Sequence, residues 1–279
     1  MSQPQISFEF FPPQTVAAGF KLWETAQSLL PLGPRHVSVT YGAGGKAATC
    51  SQDTIVALRN QGAQVAAHLT CAGATREDVL AQAERFRALG VTEIVALRGD
   101  GELAPGGFTS SLELVSALRD AGFGVHVGAY AEPHAASQGP AADLEWLRAK
   151  FQAGASLALS QFFFEADTFL RFRDACADAG VPGPVAPGIL PVHDWPQVQR
   201  FAARCGVTVP AHLAQGFETA ARHGRADLFA LTHATDLCTT LLEEGVEHLH
   251  FYTLNRAPRS RDICRALGLP AAEGLQKVA

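Results

Sequence analysis

The sequence predicts an α/β protein folded as one (β/α)8 TIM barrel spanning residues 1–279, with an extra helix before the last strand. Three observations predict it. Eight short apolar runs rich in β-formers recur along the chain, and stretches of helical pattern separate them. No Gly/Ser linker, low-complexity tract or charge block divides the whole, so it reads as one domain. A doubly wound sheet shares this alternation, but no G-x-G-x-x-G follows an early strand, which favours the barrel.

The first run, I-S-F-E-F-F (6–11), is stopped by Pro12 and Pro13. Ile6, Phe8 and Phe10 share one face of such a strand, and Ser7, Glu9 and Phe11 the other. A strand apolar on both faces belongs in a helix-covered parallel sheet, where an ionised carboxylate is costly, so Glu9 needs a reason. Next come H-V-S-V-T-Y (36–41), running into G-A-G-G, and Q-V-A-A-H-L-T (64–70). The segment 75–90 has helical pattern; it opens on the capping-box residues Thr75 and Asp78 and closes on Gly90. E-I-V-A-L-R (93–98) precedes a helical unit at 110–122, and G-V-H-V-G-A-Y (124–130) follows it. L-A-L-S-Q-F-F-F (157–164), a helical unit at 167–180 and P-V-A-P-G-I-L (184–190) continue the alternation. The gap before the last strand, H-L-H-F-Y-T-L (248–254), is longer and holds helical patterns at 212–222 and 226–244, hence the extra helix.

Composition bounds the function. Hydrophobic residues make up 47% of the chain, enough for a large core. The net charge of -5 and the lack of any basic run argue against nucleic acid or an anionic membrane as partner and favour a small molecule. Six scattered cysteines without metal spacing, no signal segment and no long apolar span point to a cytoplasmic protein with its cysteines reduced. No pair of histidines or carboxylates sits at ligand spacing on one element, so no metal is expected.

In a barrel the chemistry belongs at the C-terminal ends of the strands. Those ends carry Glu9; Thr40 and Tyr41; His68 and Thr70; Arg98 and Asp100; Tyr130, Glu132 and His134; Gln161; and Tyr252, Asn255 and Arg256. Only the seventh strand, ending P-G-I-L-P, is bland. Each group also has a structural reading. Position alone leaves Glu9 open between a catalytic acid and a hydrogen-bonded structural carboxylate. His68 is more often a core histidine than a ligand, the glycines after Tyr41 usually only turn the chain, and Arg98 with Asp100 can be a plain ion pair.

The strings F-E-F-F-P-P, V-S-V-T-Y-G-A-G-G, H-L-T-C, A-L-R-G-D, Q-F-F-F, P-G-I-L-P and H-F-Y-T-L-N-R-A, in this order over residues 6–257, resemble the methylenetetrahydrofolate reductase family in its bacterial form, a catalytic barrel alone. The resemblance implies reduction of 5,10-methylenetetrahydrofolate to 5-methyltetrahydrofolate, with electrons from NADH or NADPH passing through FAD in ping-pong turnover. Glu9 matches the general acid that opens the folate ring. A carboxylic acid among phenylalanines is expected to have a raised pKa and to remain a proton donor near neutrality. Asp100 matches a carboxylate near flavin and pterin. Gln161, Gln197, Phe201, Arg256 and Thr40 match the substrate side, with Thr40 also bordering the flavin. Tyr41, Ala43, His68, Arg98, Gly99, Asp100, Tyr130, His134, Asp143 and Lys150 match FAD contacts.

Some neighbours depart from the family pattern. K-A-A-T-C-S stands for S-T-R-D-x-T, Y-A-E-P-H-A-A for Y-P-E-x-H-P-E, and the helix reading D-L-E-W-L-R-A-K places Trp146 and Ala149 where an Asn and a basic residue are usual. These departures keep two other readings open: a flavin-independent reductase with direct hydride transfer, and a catalytically silent folate-binding barrel. A homo-oligomer is also expected, because apolar helix faces on such barrels often pair.

Overall fold

The computed structural model describes residues 3–41, 45–133 and 137–269. Eight parallel strands close into a barrel in sequence order: β1 (Gln5–Phe10), β2 (His36–Val39), β3 (Val65–Thr70), β4 (Glu93–Leu97), β5 (Gly124–Ala129), β6 (Ala155–Phe162), β7 (Val185–Ile189) and β8 (His248–Tyr252), with β8 pairing back to β1. The helices that return the chain are α1 (Val16–Leu29), α2 (Gly45–Asn60), α3 (Arg76–Ala88), α4 (Ser111–Asp120), α5 (Pro140–Ala153) and α6 (Ala166–Asp178). Between β7 and β8 lie α7 (Trp195–Cys205), α8 (Ala211–Arg222) and α9 (Ala226–Glu243), and α10 (Ala257–Ala266) closes the described chain. No helix among the described residues is long and apolar enough to cross a membrane.

The helices α8 and α9 sit on the two patterns expected before the last strand, and α7 is a third helix there, beyond the one extra helix expected. It spans 11 residues, buries Trp195, Val198 and Ala202 on one face and carries Pro196 in its first turn, where proline suits a helix start. Its ends are well specified. Asp194 caps it, accepting from Gln197 N at 2.8 Å, and Gly206 closes it at φ 69° in the left-handed region.

Alternation along the strands builds two separate interiors. Ile6, Phe8, Phe10, Val37, Val39, Leu69 and Ile94 point outwards into the layer between sheet and helices. Each fully buried phenylalanine or leucine there contributes about 1.5–3 kcal/mol. The opposite face fills the lumen. Ala66, Val95, Leu157, Leu159 and Ala186, with Leu97 packed against them, line one side. Ser7, Glu9, His36, Ser38, His68, His126, His248 and His250, all buried, form the remainder.

At the C-terminal end the strands stop short and the chain turns into rim loops. After β8, Leu254 and Asn255 adopt φ 49° and 53°, a left-handed conformation that asparagine tolerates and leucine does not favour. Surrounding contacts hold it: Asn255 Nδ2 donates to Phe11 O at 2.8 Å and Phe11 N donates to Asn255 Oδ1 at 2.9 Å. The ends of β1 and β8 are thus tied together where the candidate site lies.

Candidate active site

Glu9 lies near the end of β1 and faces the lumen at only 7% exposure. Its Oε2 lies 3.4 Å from His68 Nε2 and 4.0 Å from His250 Nε2, and its neighbours across the sheet are Ser38 and Tyr252. Burial raises the carboxyl pKa, with His68 opposing the shift. Burial also lowers His68, with Glu9 opposing, and pushes His250 down to about 3. Burial thus disfavours the charged form of the carboxyl and of both imidazoles alike. The phenylalanines invoked from sequence are not its surroundings: Phe8 and Phe10 point into the helix layer, and enclosure in the lumen is what disfavours the charge.

Below Glu9, Ser7 Oγ lies 2.7 Å from His250 Nδ1 and 2.8 Å from His248 Nε2. A hydroxyl donates once and accepts from a second partner, so Ser7 couples the two tautomers and presents His250 to Glu9. His36 lies between His126, tilted at a centroid distance of 4.9 Å, and His248, edge-on at 5.8 Å. None of the deep histidines was singled out from sequence. Their signal was polar residues at alternate strand positions, 7 and 9, 36 and 38, 248 and 250, which mark one inward face. Among the described residues no group of three or more His, Cys, Asp or Glu is arranged to hold a metal ion.

Beside His68 a cavity of about 960 Å3 opens outwards over the ends of β2 to β5. Thr40, Tyr41, His68, Arg98, Gly99, Asp100, Tyr130, Asp143 and Lys150 all line it, as does Trp146. Nine sequence candidates thus converge. Arg98 and Asp100 are exposed on its wall and make no ion pair with each other; Arg98 donates to Gly99 O at 3.0 Å. Gly99 is needed there: its φ is 84°, and a Cβ would meet Thr70 Cβ at 3.0 Å. Lys150 is buried, donates to Gly128 O at 3.0 Å, and burial pushes its ammonium down to about 8, with Asp143 opposing. Ala43 and His134, the other two candidates, lie outside the described residues.

The residue set fits a dinucleotide such as FAD. Asp143 Oδ2 is buried without a hydrogen-bond partner among the described residues, leaving a polar atom for a ligand to satisfy. Lys150 supplies a cation, and Trp146, 42% exposed on α5, supplies a flat apolar face at the outer end.

The remaining candidates occupy the other side of the mouth. Gln161 Oε1 accepts from Phe162 N at 3.0 Å, which folds the amide against its own strand end. Phe162 stacks on Phe201 of α7, with centroids 5.2 Å apart, and the Arg204 guanidinium lies 5.8 Å from the centroid of the Phe201 ring. Gln197 is exposed near the start of the same helix. Tyr252 donates to Ser160 O at 2.8 Å and packs edge-on to Phe162. From its cap on the β7 side, α7 runs towards β5, where Thr208 N donates to the Glu132 carboxylate at 3.1 Å. Arg256 does not join either group; it lines a separate cleft between α1 and α10 on the same rim.

A parallel barrel with a buried carboxyl at its mouth, flanked by a long cavity on one side and an aromatic cluster on the other, has the form of a TIM-barrel enzyme that takes small molecules at the C-terminal ends of its strands. Comparison with known proteins narrows the class. The family described as methylenetetrahydrofolate reductase matches residues 1–268. A 5,10-methylenetetrahydrofolate reductase of Escherichia coli (strain K12) is 40% identical over 96% of this chain and 92% of its own length. Methylenetetrahydrofolate reductase (NADH) 1 of Arabidopsis thaliana is 32% identical over 96% of this chain and 49% of its own. The chain belongs to the methylenetetrahydrofolate reductase family and is an oxidoreductase. In fold it is similar to a Clostridium thermocellum protein described as binding two copies of 5-methyl-5,6,7,8-tetrahydrofolic acid, with TM-score 0.65, 12% identity, and 95% and 94% of the two chains covered.

Proposed function

We propose that this chain reduces 5,10-methylenetetrahydrofolate to 5-methyltetrahydrofolate with NADH or NADPH as donor and FAD as the intermediate carrier. The observation that carries the reading is Glu9, a carboxyl whose pKa burial raises, at the mouth of a family member's barrel. The E. coli relative's name supplies the substrate class, and the plant relative's name an NADH donor.

The substrate's methylene bridges two nitrogens in a five-membered ring, which must open to an iminium cation before it accepts hydride. Glu9 gives its proton to the departing nitrogen as that C–N bond breaks, becoming a carboxylate beside His68 and the Nε2 of His250. Asp100, on the cavity wall, lies on the side where positive charge develops and favours it electrostatically. Gln161 and Gln197 offer amides to the pterin edge, Phe201 offers an aromatic ring to a flat ligand, and Arg256 faces the glutamate tail. Bound FAD would supply a hydride carrier between nicotinamide and folate. Tyr41, Arg98, Gly99, Tyr130, Asp143 and Lys150, with Thr40, His68 and Trp146 on the same cavity wall, would hold it.

An absorption spectrum of the protein purified without added cofactor tests this. Flavin bands that bleach with NADH under anaerobic conditions and return with methylenetetrahydrofolate are expected. A colourless protein that oxidises NADH only when the folate is present would replace this reading with direct hydride transfer.

A further inference from the structure

We propose that Glu9 regains its proton through the barrel interior, along His248, Ser7 and His250 from the N-terminal floor of the barrel, and not through the mouth. The inference rests on the general-acid reading above, in which every folate reduced leaves Glu9 as a carboxylate that must be reprotonated before the next.

Strand register lays out the path. Across the ladder between β1 and β8, Gln5 pairs with His248, Ser7 with His250 and Glu9 with Tyr252, so Ser7, Glu9, His248 and His250 climb one lumen wall. His248 begins β8 at the floor and keeps 8% of its surface exposed, whereas Ser7 and His250 are wholly enclosed. The contacts rise in order: His248 Nε2 lies 2.8 Å from Ser7 Oγ, Ser7 Oγ lies 2.7 Å from His250 Nδ1, and His250 Nε2 lies 4.0 Å from Glu9 Oε2. At the lower end His248 Nδ1 is buried without a hydrogen-bond partner among the described residues, which leaves that nitrogen as the point of entry. His36 stands edge-on to His248, His126 lies beyond it, and His126 Nε2 is 3.7 Å from the partly exposed Glu93 carboxylate at the start of β4. The floor thus carries a carboxylate in contact with water beside the imidazoles.

The transfer balances without charging a histidine. As a proton arrives at His248 Nδ1, the Nε2 proton of His248 passes to Ser7 Oγ, the Ser7 hydroxyl proton passes to His250 Nδ1, and the Nε2 proton of His250 passes to the Glu9 carboxylate. One proton enters at the floor and one reaches Glu9; each residue between loses one N–H or O–H bond and gains another. Reorientation of the two rings and the hydroxyl resets the chain. No imidazolium forms, so the burial that pushes His248 and His250 down to about 3 does not block the path. The last step is the longest, and the ionised carboxylate draws the His250 N–H towards it. At the mouth, His68 Nε2 lies 3.4 Å from Glu9 and offers a competing route, but it faces the cavity assigned above to FAD. The lumen chain is independent of what occupies the mouth.

Anaerobic stopped-flow absorbance on the flavin-loaded protein, set beside steady-state turnover with saturating NADH and methylenetetrahydrofolate, tests the proposal. In the wild type the slower half-reaction should account for turnover. His248→Gln keeps a donor to Ser7, but an amide does not pass a proton on; Ser7→Ala breaks the chain with both imidazoles in place. In each variant the first reoxidation by folate uses the proton that Glu9 already holds and should stay within about threefold of wild type, while turnover falls about tenfold below the slower half-reaction. The deficit should widen in deuterium oxide. Turnover that still matches the slower half-reaction in both variants would mean that the proton enters by the mouth, and overturns the proposal. Equal slowing of first reoxidation and turnover also overturns it, because residues that only hold Glu9 in place would give that result. Either outcome leaves the general-acid reading standing, whereas wild-type flavin that the folate does not reoxidise removes that reading and this inference together.

Discussion

Along one side of the barrel lumen Ala66, Val95, Leu157, Leu159 and Ala186 pack as an apolar wedge, while along the other Ser7, Glu9 and four histidines of β2, β5 and β8 meet with few hydrogen bonds between them. Both sides are equally dry, yet they do different work. The apolar side gains stability from burial, as any core does. The polar side loses stability to desolvation, and burial there disfavours the charged forms of Glu9, His248 and His250. The dryness that the apolar half completes is what keeps the Glu9 carboxyl inclined to hold its proton.

Breaking the apolar half should have the largest effect on stability. Leu157→Ala, at a site 3% exposed, is expected to cost about 2–5 kcal/mol, read as a lower urea midpoint with an unchanged slope. A cost under about 1 kcal/mol would mean that the wedge is not tightly packed.

The polar half should instead fail on acidification. His248 and His250 titrate near pH 3 in the folded chain because of burial, and near about 6.5 once unfolded. The unfolded chain therefore binds more protons across that window. Stability is complete above about pH 6.5 and falls as pH drops towards 3, by up to about 1.4 kcal/mol per pH unit for each group. Urea midpoints at pH 7.5, 6 and 5 would display this slope, and a flat profile would contradict neutral burial.

A smaller effect is expected from Ser7→Ala. It strips the hydroxyl shared by His248 Nε2 and His250 Nδ1, at a cost of about 1–3 kcal/mol for the atoms left unpaired. If His250 is held towards Glu9 through Ser7, the pH profile of folate reduction should also shift in this variant, while reduction of the flavin by NADH should not.

The contrast between the two halves also explains what the sequence could convey. The eight strands and the outward positions of Ile6, Phe8 and Phe10 were legible because strand alternation and βα spacing are local. So was the convergence of Thr40, His68, Arg98, Asp100, Tyr130 and Lys150, because all sit at strand ends or on the helix that follows. The helix α7 was not anticipated, although its apolar face at Trp195, Val198 and Ala202, its Asp194 cap and Pro196 in the first turn are all local helix signals. The histidine cluster was not legible either: His36 and His250 are 214 positions apart, and only closure of the barrel brings them within 6.3 Å. Glu9 was rightly singled out as a buried carboxylate, but its neighbours are imidazoles contributed by β3 and β8, which no single strand displays.

Glu9→Gln, followed through both half-reactions by anaerobic stopped-flow absorbance, tests most directly whether the dry mouth serves to keep a proton donor. Reduction of FAD by NADH should proceed at nearly the wild-type rate, while reoxidation by methylenetetrahydrofolate should slow by about 10²–10⁴-fold or stop, because glutamine keeps the shape and cannot give the proton. Reoxidation at the wild-type rate would contradict the general-acid role and return Glu9 to the status of a buried structural carboxyl.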